Sequence, residues 1–419
     1  MEGGGSASGA APGKVEREEA AGGGGDEEEA AGCRVWGWGA GSDGQLGIGS
    51  ADDQLSPRPV QLLSSSTFAV SHIACGGAHA IALTGDGSVL TWGRGTCGQL
   101  GHGELGNCSE PKTVEFLKCF KICHVSAGWN HSGFVTDTGD LFTCGDGSFG
   151  QLGHGDCQSC FSPKEVTFFG SMHVMQIACG LRHSLALIKG PSRDIVFGFG
   201  SGKHGQLGPS ADGIKRLFNL PKAVCHFEND TVATISANGD QSAALTADGQ
   251  LYTWGRGFNG KLIGCVPRIV SSLKFSQVAL GWNHALALTE HGEVCMIGGY
   301  RHGLLSCSQQ VRLEQHRESS PSTSIDESSA VTVQQRVQYL EGKSVVHIAA
   351  GAEHSAIVTE DGAIMTWGWG EHGQLGLGNT LDQTIPQVVN ICETGSSVHT
   401  RFRIFCGSGF TFALIVHGC

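Results

Sequence analysis

The chain has 419 residues, 66 of them glycine and only 16% charged, a composition of short strands and tight turns that excludes a disordered or coiled-coil protein. The formal net charge is -12, but Glu2, Glu16, Glu18, Glu19, Asp26, Glu27, Glu28 and Glu29 against Lys14 and Arg17 put half of the excess before residue 33, and the rest of the chain offers no basic stripe, so direct nucleic-acid binding is not expected. No apolar run approaches the roughly 18 to 20 residues of a membrane span, and the start lacks the basic and apolar regions of a secretory signal, so a soluble protein of the cytoplasm and/or nucleus, without membrane association, is expected.

Residues 1–32 are a low-complexity Gly/Ala/Glu segment almost free of large apolar groups, and they read as a disordered acidic tail. From Val35 onward one element returns, a small apolar or aromatic residue followed by Gly-x-Gly-x-x-Gly-Gln-Leu-Gly. It runs from Trp38-Gly39 to Gly47, Trp92-Gly93 to Gly101, Cys144-Gly145 to Gly153, Phe199-Gly200 to Gly208, Trp254-Gly255 to Gly264, from Ile297-Gly298 onward, and from Trp367-Gly368 to Gly376. A second element, Gly-x-x-His, opens at Gly76, Gly128, Gly180, Gly281 and Gly351, with degenerate copies from Asn238 to Gln241 and from Gly407 to Phe410. Repeats of this length imply one supersecondary unit each, stacked around a common core.

Between the two elements lie alternating strands such as Ala80 to Thr84, then Asp86-Gly87, Asp248-Gly249 or Asp361-Gly362, pairs that predict two-residue hairpin connections. Each repeat is therefore one small antiparallel sheet. The chain starts with a lone Trp-Gly half at Trp38 and ends with a lone Gly-x-x-His half at Phe410. Joined, the halves complete a seventh sheet, so the expected fold is all-β: a seven-bladed propeller of four-stranded blades over residues 33–419, closed by its two ends.

The step from the glycine at 255 to that at 298 is short and suggests a blade trimmed at residues 284–303. The step after it is long, and its polar, Ser-rich stretch at about 306–342 reads as a mobile insertion. Limited proteolysis is expected to cut there first and to leave two associated fragments. Protection of this stretch in the free protein would contradict that reading.

The repeated Gly-x-Gly-x-x-Gly does not open a helix, which argues for blade corners rather than a nucleotide site, and no cofactor is expected. Five histidines at one repeat position cannot share a metal, because packed sheets stand about 10 Å apart and zinc needs nitrogens at roughly 2.0–2.1 Å. They read instead as partly buried imidazoles bonded to backbone. Cys157-x-x-Cys160 near His154 lacks a second pair, so no metal is assigned. Seventeen cysteines without compact spacing read as reduced thiols, those at 75, 179 and 406 as core. No nucleophile elbow, phosphate-binding loop or catalytic carboxylate pair is present, so no catalytic residue is assigned. What varies is the pair before each histidine position. Those pairs supply Trp129, Asn130, Arg182, Asp240, Trp282, Asn283 and Glu353, residue types suited to a partner-binding face.

Taken together, the two elements, as in Gly76 to His79 leading to Trp92 through Gly101, closely resemble the regulator-of-chromosome-condensation repeat, seven times over residues 34–417. The resemblance implies a propeller whose Gly-x-x-His loop face carries function. Family members include the exchange factor of the small GTPase Ran, a secretion-related exchange-factor-like protein, a plant ultraviolet-B photoreceptor and many adaptors. A non-catalytic protein-interaction platform is the first expectation. Guanine-nucleotide exchange on a small GTPase is the alternative, with Asp240 and Glu353 as the acids of the face. Ultraviolet-B sensing is a second alternative, although Asn130 and Asn283 stand where the photoreceptor repeats an Arg, and Trp129 and Trp282, three repeats apart, are expected to be too distant to couple.

Overall fold

Small and large apolar residues alternate in the stretches after each Gly-x-x-His element, and these stretches become second strands that are buried along their whole length, as in His79–Thr84 and His284–Thr289. The alternation is between Ala and Leu or Ile on two packed faces, not between core and solvent, because each such strand is sandwiched between neighbouring blades. Apart from Met1, the computed structural model describes residues 34–64, 69–190, 194–209, 217–224, 227, 231–258, 262–299, 334–391 and 400–417. The expected tail over 1–32 thus lies, Met1 aside, outside the described residues.

Seven four-stranded antiparallel sheets make a seven-bladed propeller. Blades I to VI begin with the inner strands Val70–Cys75, Ile122–Ala127, His173–Cys179, Val232–Asn238, Phe275–Leu280 and Val345–Ala350. Blade VII combines Thr400–Cys406 and Phe410–His417 from the end of the chain with Arg34–Gly39 and Gln54–Pro59 from its start. Their register runs without interruption from Arg34 opposite Ile415 to Gly39 opposite Phe410. Inner strands contact one another in sequence, and Thr400–Cys406 contacts Val70–Cys75, so the ring is closed. Six outermost strands carry a proline at one position (Pro57, Pro111, Pro163, Pro221, Pro267 and Pro386), which removes an N–H from an edge that would otherwise template pairing.

Three local expectations are corrected. The Asp-Gly connections are longer than two residues: Thr84 N–H donates to Ser88 O, and only the glycine (Gly87, φ 89°) is left-handed, while Asp86 instead accepts from the Thr84 hydroxyl and Ser88 N–H. The shortened region is not at 284–303. In blade IV, Leu251–Arg256 and Leu262–Ile269 are separated by only residues 257–261, against 94–107 in blade I, so the lost residues belong to a loop. Blade V keeps four strands because its last, Gln334–Arg336, follows the insertion and pairs with Cys295 to Ile297. Residues 334–342, read from sequence as insertion, therefore belong to the blade and its connector, with Leu340 in the core. Residues 306–333 lie outside the described residues.

Candidate interaction face

Two motif residues, a glutamine and a histidine, join most blades to the next. Gln45, Gln99, Gln151, Gln206 and Gln374 accept at Oε1 from the backbone N–H two residues earlier, at 2.8–2.9 Å, and so close their own turns. Their carbonyls are then free for the following blade: the indoles of Trp92, Trp254 and Trp38 donate to Gln45 O, Gln206 O and Gln374 O at 2.8–2.9 Å. The corner glycine is required by sterics. Gly93 has φ 98°, and a Cβ there would stand 2.5 Å from Ala78 O, which accepts the Arg94 N–H.

The histidines are fully buried, not partly, and their partner is a side chain of the next blade, not backbone. His79 Nε2 meets Ser132 Oγ at 2.9 Å, and the same bond joins His131 to Ser184, His183 to Ser242, His284 to Ser355 and His354 to Thr411 at 2.9–3.0 Å. Ser132 Oγ donates to Gln99 O, so it must accept from the histidine, which places the imidazole proton on Nε2. Burial pushes these imidazoles down to about 3 (His79, His183, His354) or about 4 (His131, His284). The degenerate copies follow one rule. Where the next blade has alanine in place of the hydroxyl (Ala285 after blade IV, Ala80 after blade VII), the histidine is replaced by Gln241, which donates to Trp282 O, or by Phe410.

The loops preceding these residues encircle the axis with backbone bonds: Gly77 N–H to Gly128 O, Trp129 to Gly180, Leu181 to Gly239, Trp282 to Ala352, Ala352 to Ser408 and Ser408 to Gly76. Asn238 Nδ2, donating to Leu280 O at 2.6 Å, bridges the remaining step. Inside this girdle is a cavity of about 60 Å³ lined by Gly76, Gly128, Gly180, Cys75, Cys179 and Cys406. Burial raises all three thiols, Cys179 and Cys406 to about 12, so they are protonated and inert. Among the described residues no group of three or more side chains is gathered to hold a metal, and Cys157 is exposed.

Trp129 and Trp282 close this cavity together. Their ring centroids are 5.0 Å apart at 43°, which overturns the expectation that they are too distant to couple. Three repeats separate them along the ring, but the loops converge on a narrow axis, and side chains from nearly opposite blades meet across it. Trp129 lies against Gly77, where a Cβ would come within 2.8 Å of the indole.

The other predicted residues do not all share this exposure. Arg182 is exposed and stands 4.6 Å over the Phe149 ring. Asn130 is half-buried. Asp240 is held by His204 Nδ1 at 3.0 Å and accepts from Gln206 Nε2 at 3.2 Å. Asn283 donates to Glu353 Oε1 at 2.9 Å, and Glu353 is only 8% exposed, so Glu353 supports the face rather than forming it. Phe149 and His204, from the Gly-Gln-Leu-Gly loops, were missed by sequence reading; their proximity to the Gly-x-x-His loop residues is created only when two repeats pack.

A closed propeller with two repeated loop elements on one face defines a class of scaffold. Residues 34–413 match the RCC1-like domain, and the chain belongs to that family. It is 31% identical over 401 residues to the secretion-regulating guanine nucleotide exchange factor of Bos taurus, covering 91% of this chain and 82% of that protein. It is 30% identical over 354 residues to the ultraviolet-B receptor of Arabidopsis thaliana, covering 82% of this chain and 74% of the receptor. The E3 ubiquitin-protein ligase HERC2 of Homo sapiens is 32% identical over 78% of this chain, which spans only 6% of the ligase. Among solved structures, Prp20p from Saccharomyces cerevisiae superposes with a TM-score of 0.75 at 22% identity, covering 93% of this chain and 92% of that one, a likeness of fold.

Proposed function

We propose that the chain is a protein-interaction module without chemistry of its own, and that the Gly-x-x-His loop face is its contact surface. The observation that carries this reading is the half-buried Trp129–Trp282 pair on the axis, flanked by exposed Arg182 and half-buried Asn130. Large rigid aromatics beside an arginine are the residue types that dominate binding energy at interfaces. Support for a regulatory protein partner also comes from the exchange-factor relative, similar over most of both chains. An affinity pull-down repeated with Trp129→Ala/Trp282→Ala tests the face. The expected result is loss of the wild-type partners with an unchanged melting temperature; full retention of those partners would place the contact surface elsewhere.

Exchange on a small GTPase is the second reading, favoured by that same relative. It would require tighter binding to the nucleotide-free than to the loaded GTPase. Because Glu353 is buried and Asp240 is engaged by His204 and Gln206, the face has few free acids for that task. Adding the protein to small GTPases loaded with fluorescent GDP is expected to leave release at its intrinsic rate. Acceleration that disappears in Asp240→Ala would make exchange the function.

A further inference from the structure

The far end of the axial channel carries a second ring of side chains that the loop face does not use. Four residues before each loop glycine, or its Asn238 counterpart, the inner strands place His72, His124, Gln176, Thr234, Gln277, His347 and Arg403, one per blade. In six of the seven inner strands the register shifts just before this position, between Val70 and His72, Ile122 and His124, Val174 and Gln176, Val232 and Thr234, Phe275 and Gln277, and Val345 and His347. Such bulges re-aim a side chain.

Five of the seven bind the next blade. Ile177 N–H donates to His124 Nδ1 at 3.5 Å and Ile404 N–H to His347 Nδ1 at 3.4 Å. Gln176 Nε2 donates to Ala233 O, Gln277 Nε2 to Val346 O and Arg403 to Ser71 O, at 2.9–3.2 Å. A ring nitrogen that accepts carries no proton, so His124 and His347 each hold an Nε2–H that is left for another acceptor. His72 sits edge-on to Phe405 at 5.0 Å, and His347 to the same ring at 5.9 Å, which gathers both beside Arg403.

No inner strand contains an aspartate or glutamate, although the chain as a whole is at -12. Their ionisable nitrogen groups are His72, His124, His173, His347, Arg401 and Arg403, with His173 turned to Thr138 O. One guanidinium and N–H donors on successive inner strands, with no carboxylate among them, form a surface complementary to an oxyanion.

We propose that this ring is a binding site for a phosphate-class oxyanion, free or carried on a partner's side chain, entering from the face opposite the Gly-x-x-His loops. Its test is titration of the full chain with inorganic phosphate at pH 7.5 and matched ionic strength, by calorimetry, with chloride as control. Saturable binding at one site is expected. Arg403→Gln should weaken it at least tenfold, and Trp129→Ala should leave it unchanged. Because Arg403 also holds Ser71, Thr234→Glu is the second variant: Thr234 is exposed, makes no side-chain bond to the next blade among the described residues, and would add a carboxylate to the ring. It should abolish binding while the melting temperature in chloride is kept. A phosphoserine peptide that competes where its unphosphorylated form does not would identify the side-chain source; competition by neither would leave free phosphate as the ligand. Absence of saturable binding, or binding untouched by both Arg403→Gln and Thr234→Glu, would overturn the proposal.

Discussion

Stability is expected to collapse between about pH 6.5 and 5, far above the range of ordinary carboxylate titration. The cause is the set of five buried histidines that tether five of the seven blades to the hydroxyl of the next. In the unfolded chain each takes up its proton near pH 6.5, but in the folded ring only near 3 to 4. A base with a depressed folded pKa contributes stability that is complete above 6.5 and is lost as pH falls toward 4. Each histidine removes about 1.4 kcal/mol per pH unit in that window, so five remove about 7 kcal/mol per unit against a typical total of roughly 5–15 kcal/mol. His124 and His347, at about 4, act in the same direction. Urea melts from pH 8 to 5 check this. His183→Gln, which copies the Gln241 of blade IV, should flatten the pH slope by about a seventh, since one of these seven imidazoles with a depressed folded pKa no longer titrates. A stability that stays level down to pH 5 would mean that the tethers are not buried neutral imidazoles.

Deleting residues 34–50 should abolish cooperative unfolding. The segment supplies the strand paired residue by residue with Phe410–His417 and buries Val35, Trp38 and Leu46 completely. Without it, Phe410–His417 exposes an unpaired edge, Gln374 O loses the Trp38 indole, and the ring opens between blades VI and I. Aggregation or loss of a calorimetric transition is the expected readout, and an unchanged melt would contradict closure by the two ends. Deletion of residues 1–32 should leave the transition where it is.

Repetition made the fold legible. Seven spaced glycine elements, Asp-Gly turn pairs and a half-repeat at each end specify short antiparallel sheets closed into a ring, and these are local properties that survive in a one-dimensional string. The histidine position could also be read, but not its partner. The residue following each histidine position, Ser132, Ser184, Ser242, Ala285, Ser355, Thr411 or Ala80, belongs in function to the blade before it, and that pairing appears only when blades stack. The same reason explains the misplaced trimming at 284–303: spacing reports a deletion's size, whereas pairing alone locates it between Leu251–Arg256 and Leu262–Ile269. Trp129 and Trp282 are 153 positions apart in the chain and three blades apart around the ring, yet 5.0 Å apart across the axis. Local propensity and periodicity thus determined the blade, the places of its turns and the number of copies. Distances across the channel, the burial of Glu353 and the ring around Arg403 were decided by closure, which brings sequence-distant loops to a common axis.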